Sequence, residues 1–213
     1  MAPAATELST IAVFVLSLLL AIMLTLKWRN SRKASMLFWS VGMWLFAFGV
    51  MLEVLFAYGV YSQLLGNIYL FSVALLVEIL ALGSMQLIKS RMLKNLFYAY
   101  TALITVFVAY SLIATSIGNI VIDGVVYGAL PQLVIISSSL ATFPAAIVIV
   151  GVALKSYLST KNARMLSIVA GVVVVSAAGT LYIASFPAFL YFAELAGIAL
   201  LWLGFMPIGK GRS

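Results

Sequence analysis

The chain has 213 residues, is 65% hydrophobic and only 8% charged, and carries a net charge of +7 with a pI near 9.7. Soluble domains carry about a quarter charged residues, and a chain this apolar would expose large greasy patches to water, so the composition excludes a soluble globular domain and points to lipid. At roughly 20 apolar residues per crossing, the length allows about seven crossings joined by short loops, with no room for a soluble domain.

The chain contains no Cys and no His. That removes disulfides, thiolate nucleophiles, haem attachment and ordinary zinc sites, so neither a metal nor a cofactor is expected. No basic run is long enough to follow a nucleic-acid backbone. The positive charge is read instead as the mark of cytoplasmic loops, and nucleic acid is not expected as a partner.

The N-terminus, MAPAATELST, has no basic n-region, and the apolar stretch after it is of full span length. It reads as a first membrane helix and not as a cleaved signal peptide. Segment one runs from about Leu8 to Leu26 and closes with Lys27, Arg29, Arg32 and Lys33. Segment two runs from about Ala34 to Tyr61 and contains Glu53. A link, QLLGN, leads to segment three, which begins at Ile68, contains Glu78 and closes with Lys89, Arg91 and Lys94. Segment four runs from about Leu96 to Ile117.

The next stretch, GNIVIDGVVYGALP, sets Asp123-Gly124 between β-branched triplets. This is the signal for a two-residue hairpin turn, here expected to lie on the membrane surface. Segment five runs from about Pro131 to Leu154, with Pro131 in the first turn. Pro144 inside it is expected to kink the helix and free a backbone carbonyl. Lys155, Lys161 and Arg164 follow. Segment six runs from about Met165 to Ser185, segment seven from Pro187 to about Pro207, and the tail carries Lys210 and Arg212.

All 12 Lys and Arg thus follow segments one, three, five and seven. With seven crossings those four places share one side, which the positive-inside rule makes the cytoplasm. The expected fold is an all-α membrane protein with seven transmembrane helices, N-terminus outside and C-terminus cytoplasmic. The expected location is the cell membrane, as a multi-pass protein.

An internal repeat is also legible. Leu26, Lys27, Ser31 and Lys33 match Leu154, Lys155, Ser159 and Lys161; Met36, Leu37 and Gly42 match Met165, Leu166 and Gly171. Phe71, Leu80, Leu82, Gly83, Met85, Lys89 and Arg91 match Phe192, Leu201, Leu203, Gly204, Met206, Lys210 and Arg212. The chain then divides into repeat one (about 8–91), a linking helix (about 96–117), an outer hairpin or loop (118–130) and repeat two (about 131–212). One helix between two triplets leaves both in the same orientation, a parallel three-plus-one-plus-three plan known among transporters.

This plan resembles the seven-helix group that includes microbial rhodopsins and the PQ-loop sugar carriers. A retinal protein needs a Schiff-base lysine in the last helix; this chain has Glu194 there, so an opsin function is not expected. The PQ-loop likeness rests on Pro131-Gln132. In detail the chain resembles a family of uncharacterised prokaryotic seven-helix membrane proteins. The resemblance rests on FWSVGMWLFAFGVMLEVL, ALGSMQLI and AAGTLYIASFPAFLYFAELAGIALLWLGF. It implies the fold and no activity.

The candidate chemistry lies in the carboxyls. Glu7 and Asp123 fall outside the expected spans, whereas Glu53, Glu78 and Glu194 fall within them. An ionised group at depth costs several kcal/mol and is by default functional or paired inside the bundle. No buried base is available, which leaves Tyr, Ser, Thr, backbone or water as partners. Counted from the segment ends, all three glutamates lie in the outer half or near the centre. Either they share one outward-facing cavity, or each bonds a neighbouring helix on its own.

Tyr191 and Glu194 share a face of segment seven, so the Tyr191 hydroxyl is a candidate partner. Gly42, Phe46, Gly49 and Glu53 form a stripe that lets another helix approach closely, and Gly83 and Gly204 occupy matched packing positions.

The expected activity is a carrier or channel for a small solute, cation or proton, with Glu53, Glu78, Glu194 and Tyr191 as candidate binding or protonation sites. The alternative is a non-catalytic sensor or accessory subunit of a membrane complex. A lipid enzyme ranks third, because carboxylates alone would carry its acid–base chemistry. Expected partners are the lipid bilayer and either another membrane protein or a second copy of the chain.

Overall fold

The computed structural model describes residues 3–122, 125–126, 130–161, 166–174 and 187–205, and their side chains except those of 3–8, 122, 125 and 187–191. Seven helical segments are present among the described residues. They are α1 (Pro3–Ser31), α2 (Ala34–Ala57), α3 (Gln63–Met85), α4 (Arg91–Ala114), α5 (Gln132–Thr160), α6 (166–174) and α7 (Pro187–Phe205). Five of them, α1 to α5, are long and apolar enough to cross a membrane. Two short strands, β1 (Val121–Ile122) and β2 (Val125–Val126), pair antiparallel between α4 and α5. Their register sets Ile122 opposite Val125; Asp123 and Gly124, expected to form the turn, lie outside the described residues.

Local signals set the helix ends, and several differ from the apolar segments. After α2 the chain turns at Gly59 in the left-handed region (φ +78). The N–H groups of Gly59 and Val60 donate to the carbonyls of Phe56 and Leu55, each at 3.0 Å, which closes the helix in a Schellman arrangement. Ser62 then caps α3, accepting from the Leu65 N–H at 3.2 Å.

The stretch QLLGN is therefore the first turn of α3 and not a link. Gly66 looks like a helix breaker in sequence. In space it is a contact point: a Cβ there would stand 2.9 Å from the Tyr61 hydroxyl and from Ile117. Helix α5 continues beyond Leu154 to Thr160 and stops at Lys161 (φ 53). The described part of segment six covers 166–174 only.

Helix α3 packs against α2, α4 and α5; α1 packs against α2 and α7; α4 also packs against α5. Helix α6 rests on α7, where the Ser167 hydroxyl donates to the Leu200 carbonyl at 2.6 Å and Gly171 admits the Gly197 carbonyl. The α2–α3 contact is close at both matched glycines. A Cβ on Gly42 would meet Leu80 at 2.5 Å, and one on Gly83 would meet Trp39 at 2.5 Å. Gly49 makes only an ordinary contact, 3.8 Å from Val73.

Among the described residues the apolar interior forms two clusters. One centres on Leu20, Met43, Leu80, Ile149 and Ile198, and the other on Phe56, Tyr69, Val108, Ile120 and Val134.

Contacts also sort the helix ends. The Lys27 ammonium donates to the Phe205 carbonyl at the end of α7, Trp39 meets Phe205 edge-on at 4.8 Å, and the Lys94 ammonium reaches the Gln86 carbonyl at 3.2 Å. The ends of α1, α3 and α7 and the starts of α2 and α4 therefore gather at one pole, the basic pole. The β1–β2 hairpin packs with α2 toward the other pole. Along the flanks, Ile113, Ile147 and Leu103 are 84%, 72% and 69% exposed. Large apolar side chains turned outward on successive helices suit a hydrocarbon surrounding and penalise an aqueous one.

Candidate functional site

Helix α2 carries Glu53 on the stripe that meets α3, so packing at Gly42 and Gly49 turns this carboxyl inward. Glu53 is 2% exposed. The Tyr69 hydroxyl of α3 donates to its Oε1 at 2.7 Å. The Tyr69 ring is held in turn by the fully buried Phe56, with centroids 5.7 Å apart in an edge arrangement. Glu194, on α7, is 7% exposed and brings its carboxyl within interaction range of the Glu53 carboxyl. Among the described residues, neither Glu53 Oε2 nor Glu194 Oε2, both enclosed, has a hydrogen-bond partner.

The third carboxyl stands apart. Because α3 begins at Gln63, Glu78 lies about 22 Å along the axis from the start of its helix and about 10 Å from its end, at 1.5 Å per residue. It is deeper, toward the basic pole, than the apolar segment implies. It faces α4, where the Thr105 hydroxyl donates to its Oε2 at 2.6 Å, and it is 1% exposed. Among the described residues, its other oxygen, Oε1, has no hydrogen-bond partner. The structure thus brings Glu53 and Glu194 together and joins Glu78 to a different helix pair. Tyr191 lies in α7, but its side chain is outside the described residues. Gly204 is buried on α7.

Close to Glu78, α4 also supports α5. Pro144 has no N–H, so the Leu140 carbonyl one turn earlier lacks its helical donor. The Tyr100 hydroxyl of α4 donates to that carbonyl at 2.7 Å. Helix α5 runs unbroken from Gln132 to Thr160. A few residues earlier on α5, the buried hydroxyls of Ser111 and Ser137 bond each other at 2.7 Å and tie α4 to α5 a second time. Ser137 and Thr142 also bond backbone carbonyls of their own helix.

Two turns from the carboxyl pair, on the same faces of α2 and α7, lies a cavity of about 30 Å³ whose lining includes Met43, Phe46, Leu76, Leu80, Ile149 and Leu201. Its wall is apolar and includes none of the three glutamates.

Tyr69, Thr105 and Tyr100 are the partners that sequence reasoning did not single out. Each lies on a helix other than the one it serves. Its position depends on helix register, which no spacing within one segment encodes. Compared with family models, curated proteins and solved structures, the chain finds no match.

Proposed function

We propose that the chain is a seven-span membrane protein, N-terminus outside and C-terminus cytoplasmic, that acts as a carrier or channel for a small solute, cation or proton. One observation carries the reading: Glu53 and Glu194, from α2 and α7, face each other in the interior. Two bare anions at that range in apolar surroundings repel strongly, so the pair calls for a positive charge between its members. Among the described residues, the polar partner on the pair is a tyrosine and not a base.

The gathering of Lys27, Lys94 and the end of α7 at one pole supports the seven-span count and the cytoplasmic assignment of that pole. The parallel three-plus-one-plus-three plan, resembling that of the rhodopsin and PQ-loop group, belongs to the same proposal. In it the pair lies between a helix of the first triplet and a helix of the second, where transporters of repeated design bind their cargo.

The test is flux through liposomes holding the purified chain, with Glu53→Gln and Glu194→Gln as variants. Wild-type protein should raise ion or solute flux above protein-free vesicles, and each variant should return it to the protein-free level. Flux unchanged in both variants would sink the role of the pair. A second reading, an accessory subunit or sensor, is favoured by Glu78, whose carboxyl is enclosed and bonded to Thr105 as in a dry helix contact. It requires stoichiometric co-purification with another membrane protein.

A further inference from the structure

We infer that the species handled by the Glu53–Glu194 pair is a proton, and that neither a metal cation nor an organic solute is its cargo. The inference rests on the carrier reading above and narrows it.

The first reason is enclosure. The two carboxyl residues are 2% and 7% exposed, and Glu53 is bonded by Tyr69, itself packed on Phe56. A hydrated ion brings its water shell with it, and this pair is wrapped in side chains. The second reason is the donor set. A dehydrated hard cation such as calcium takes about six to eight oxygen ligands. Here the described side-chain oxygens are two carboxyls and one phenol, and the phenol hydrogen already points at Glu53 Oε1. Among the described residues, no cluster of three or more acidic, His or Cys groups exists that would hold a metal ion.

The third reason is the space alongside. The apolar cavity two turns away has about 30 Å³, and among the described residues that line it none carries a charged or hydrogen-bonding side chain. By volume it admits a water molecule or two, and a sugar or amino acid does not fit.

A proton needs none of what is missing. It needs an oxygen to leave, an oxygen to reach and a short distance. Transfer from one carboxyl to the other breaks one O–H bond and forms one O–H bond; the negative charge moves the opposite way, and no other reactant takes part. Among the described residues, the titratable groups facing the pair are the two carboxyls and Tyr69 of α3, whose hydroxyl fixes one end of the transfer. Glu53 lies about 6 Å along the axis from the end of α2 at the hairpin pole, at 1.5 Å per residue, so the step to water on that side is short. The long apolar remainder, closed at the basic pole by Trp39 against Phe205, is then the barrier.

The test uses the full chain in liposomes with a trapped pH-sensitive dye and a potassium diffusion potential set by valinomycin. Expected is acidification above the protein-free rate that persists when sodium is replaced by N-methylglucamine and is lost in Glu53→Gln and Glu194→Gln. Flux that requires sodium and leaves the dye unchanged would overturn the proton assignment while sparing the carrier reading. Absence of any wild-type flux would overturn the carrier reading. A second readout, infrared absorption of the purified protein at neutral pH, then decides the assignment alone. A protonated-carboxyl band that is lost in Glu53→Gln or Glu194→Gln supports it. A wild-type spectrum without that band, with carboxylate bands that shift on adding sodium, refutes it.

Discussion

Gly42 and Gly49 stand two turns apart on one face of α2 and do different work. A Cβ at 42 would meet Leu80 at 2.5 Å, whereas one at 49 has 3.8 Å to Val73. Overpacking a helix contact typically costs about 1–3 kcal/mol, so Gly42→Ala should lower the thermal unfolding temperature in detergent. Gly49→Ala should stay within about 1 kcal/mol of wild type, because ordinary contact distance remains and alanine favours helix. The stripe itself was legible in the sequence, as small residues at helical steps beside Glu53. Which of its members is in tight contact was not, since that depends on the side chain α3 happens to place opposite. The same limit governs the carboxyls. Their presence at depth is plain from three acidic residues in apolar surroundings, yet the pairing of Glu53 with Glu194, and of Glu78 with Thr105, is decided by register between separate helices.

At the scale of an element, α5 shows how one helix compensates a defect in another. Pro144 removes a donor, and Tyr100 of α4 supplies one to the Leu140 carbonyl. Tyr100→Phe should therefore leave a carbonyl unpaired and cost about 1–3 kcal/mol. In a Pro144→Ala background the new N–H can return to Leu140, and the same Tyr100→Phe change should cost markedly less. A double-mutant cycle on unfolding in detergent measures the difference, and equal costs in the two backgrounds would show that the bond carries no such role. The freed carbonyl could be anticipated from Pro144 alone; the donor could not. Helix ends are marked at Gly59 by a left-handed turn and at Ser62 by a cap, yet the apolar segments carry segment two to Tyr61 and begin segment three at Ile68. They were misread where a Gly-Asn pair imitates a turn, because Gly66 is small to admit Tyr61 and Ile117, and the Asn67 side chain donates to the Leu112 carbonyl at 3.4 Å.

For the whole molecule, the alternation of basic clusters yields a direct test of topology. The chain contains no cysteine, so any single-cysteine variant labels at one place only. Under the proposed seven-span arrangement, Asp123→Cys should react with a membrane-impermeant maleimide on intact cells, and Ser159→Cys only after permeabilisation. Labelling of both from the same side would refute the arrangement. The two apolar clusters have a further consequence. Helices α1, α6 and α7 contribute to one cluster, and α4 and the hairpin to the other, while α2, α3 and α5 contribute to both. Opening either outer group costs one cluster; opening a shared helix costs two. Amide hydrogens should then exchange in three tiers, with α4 and the hairpin free to open while α1 and α7 stay shut, and with α2, α3 and α5 the last to yield. The protein would behave as two hinged leaves on a common spine, able to loosen on one side without dissolving the other.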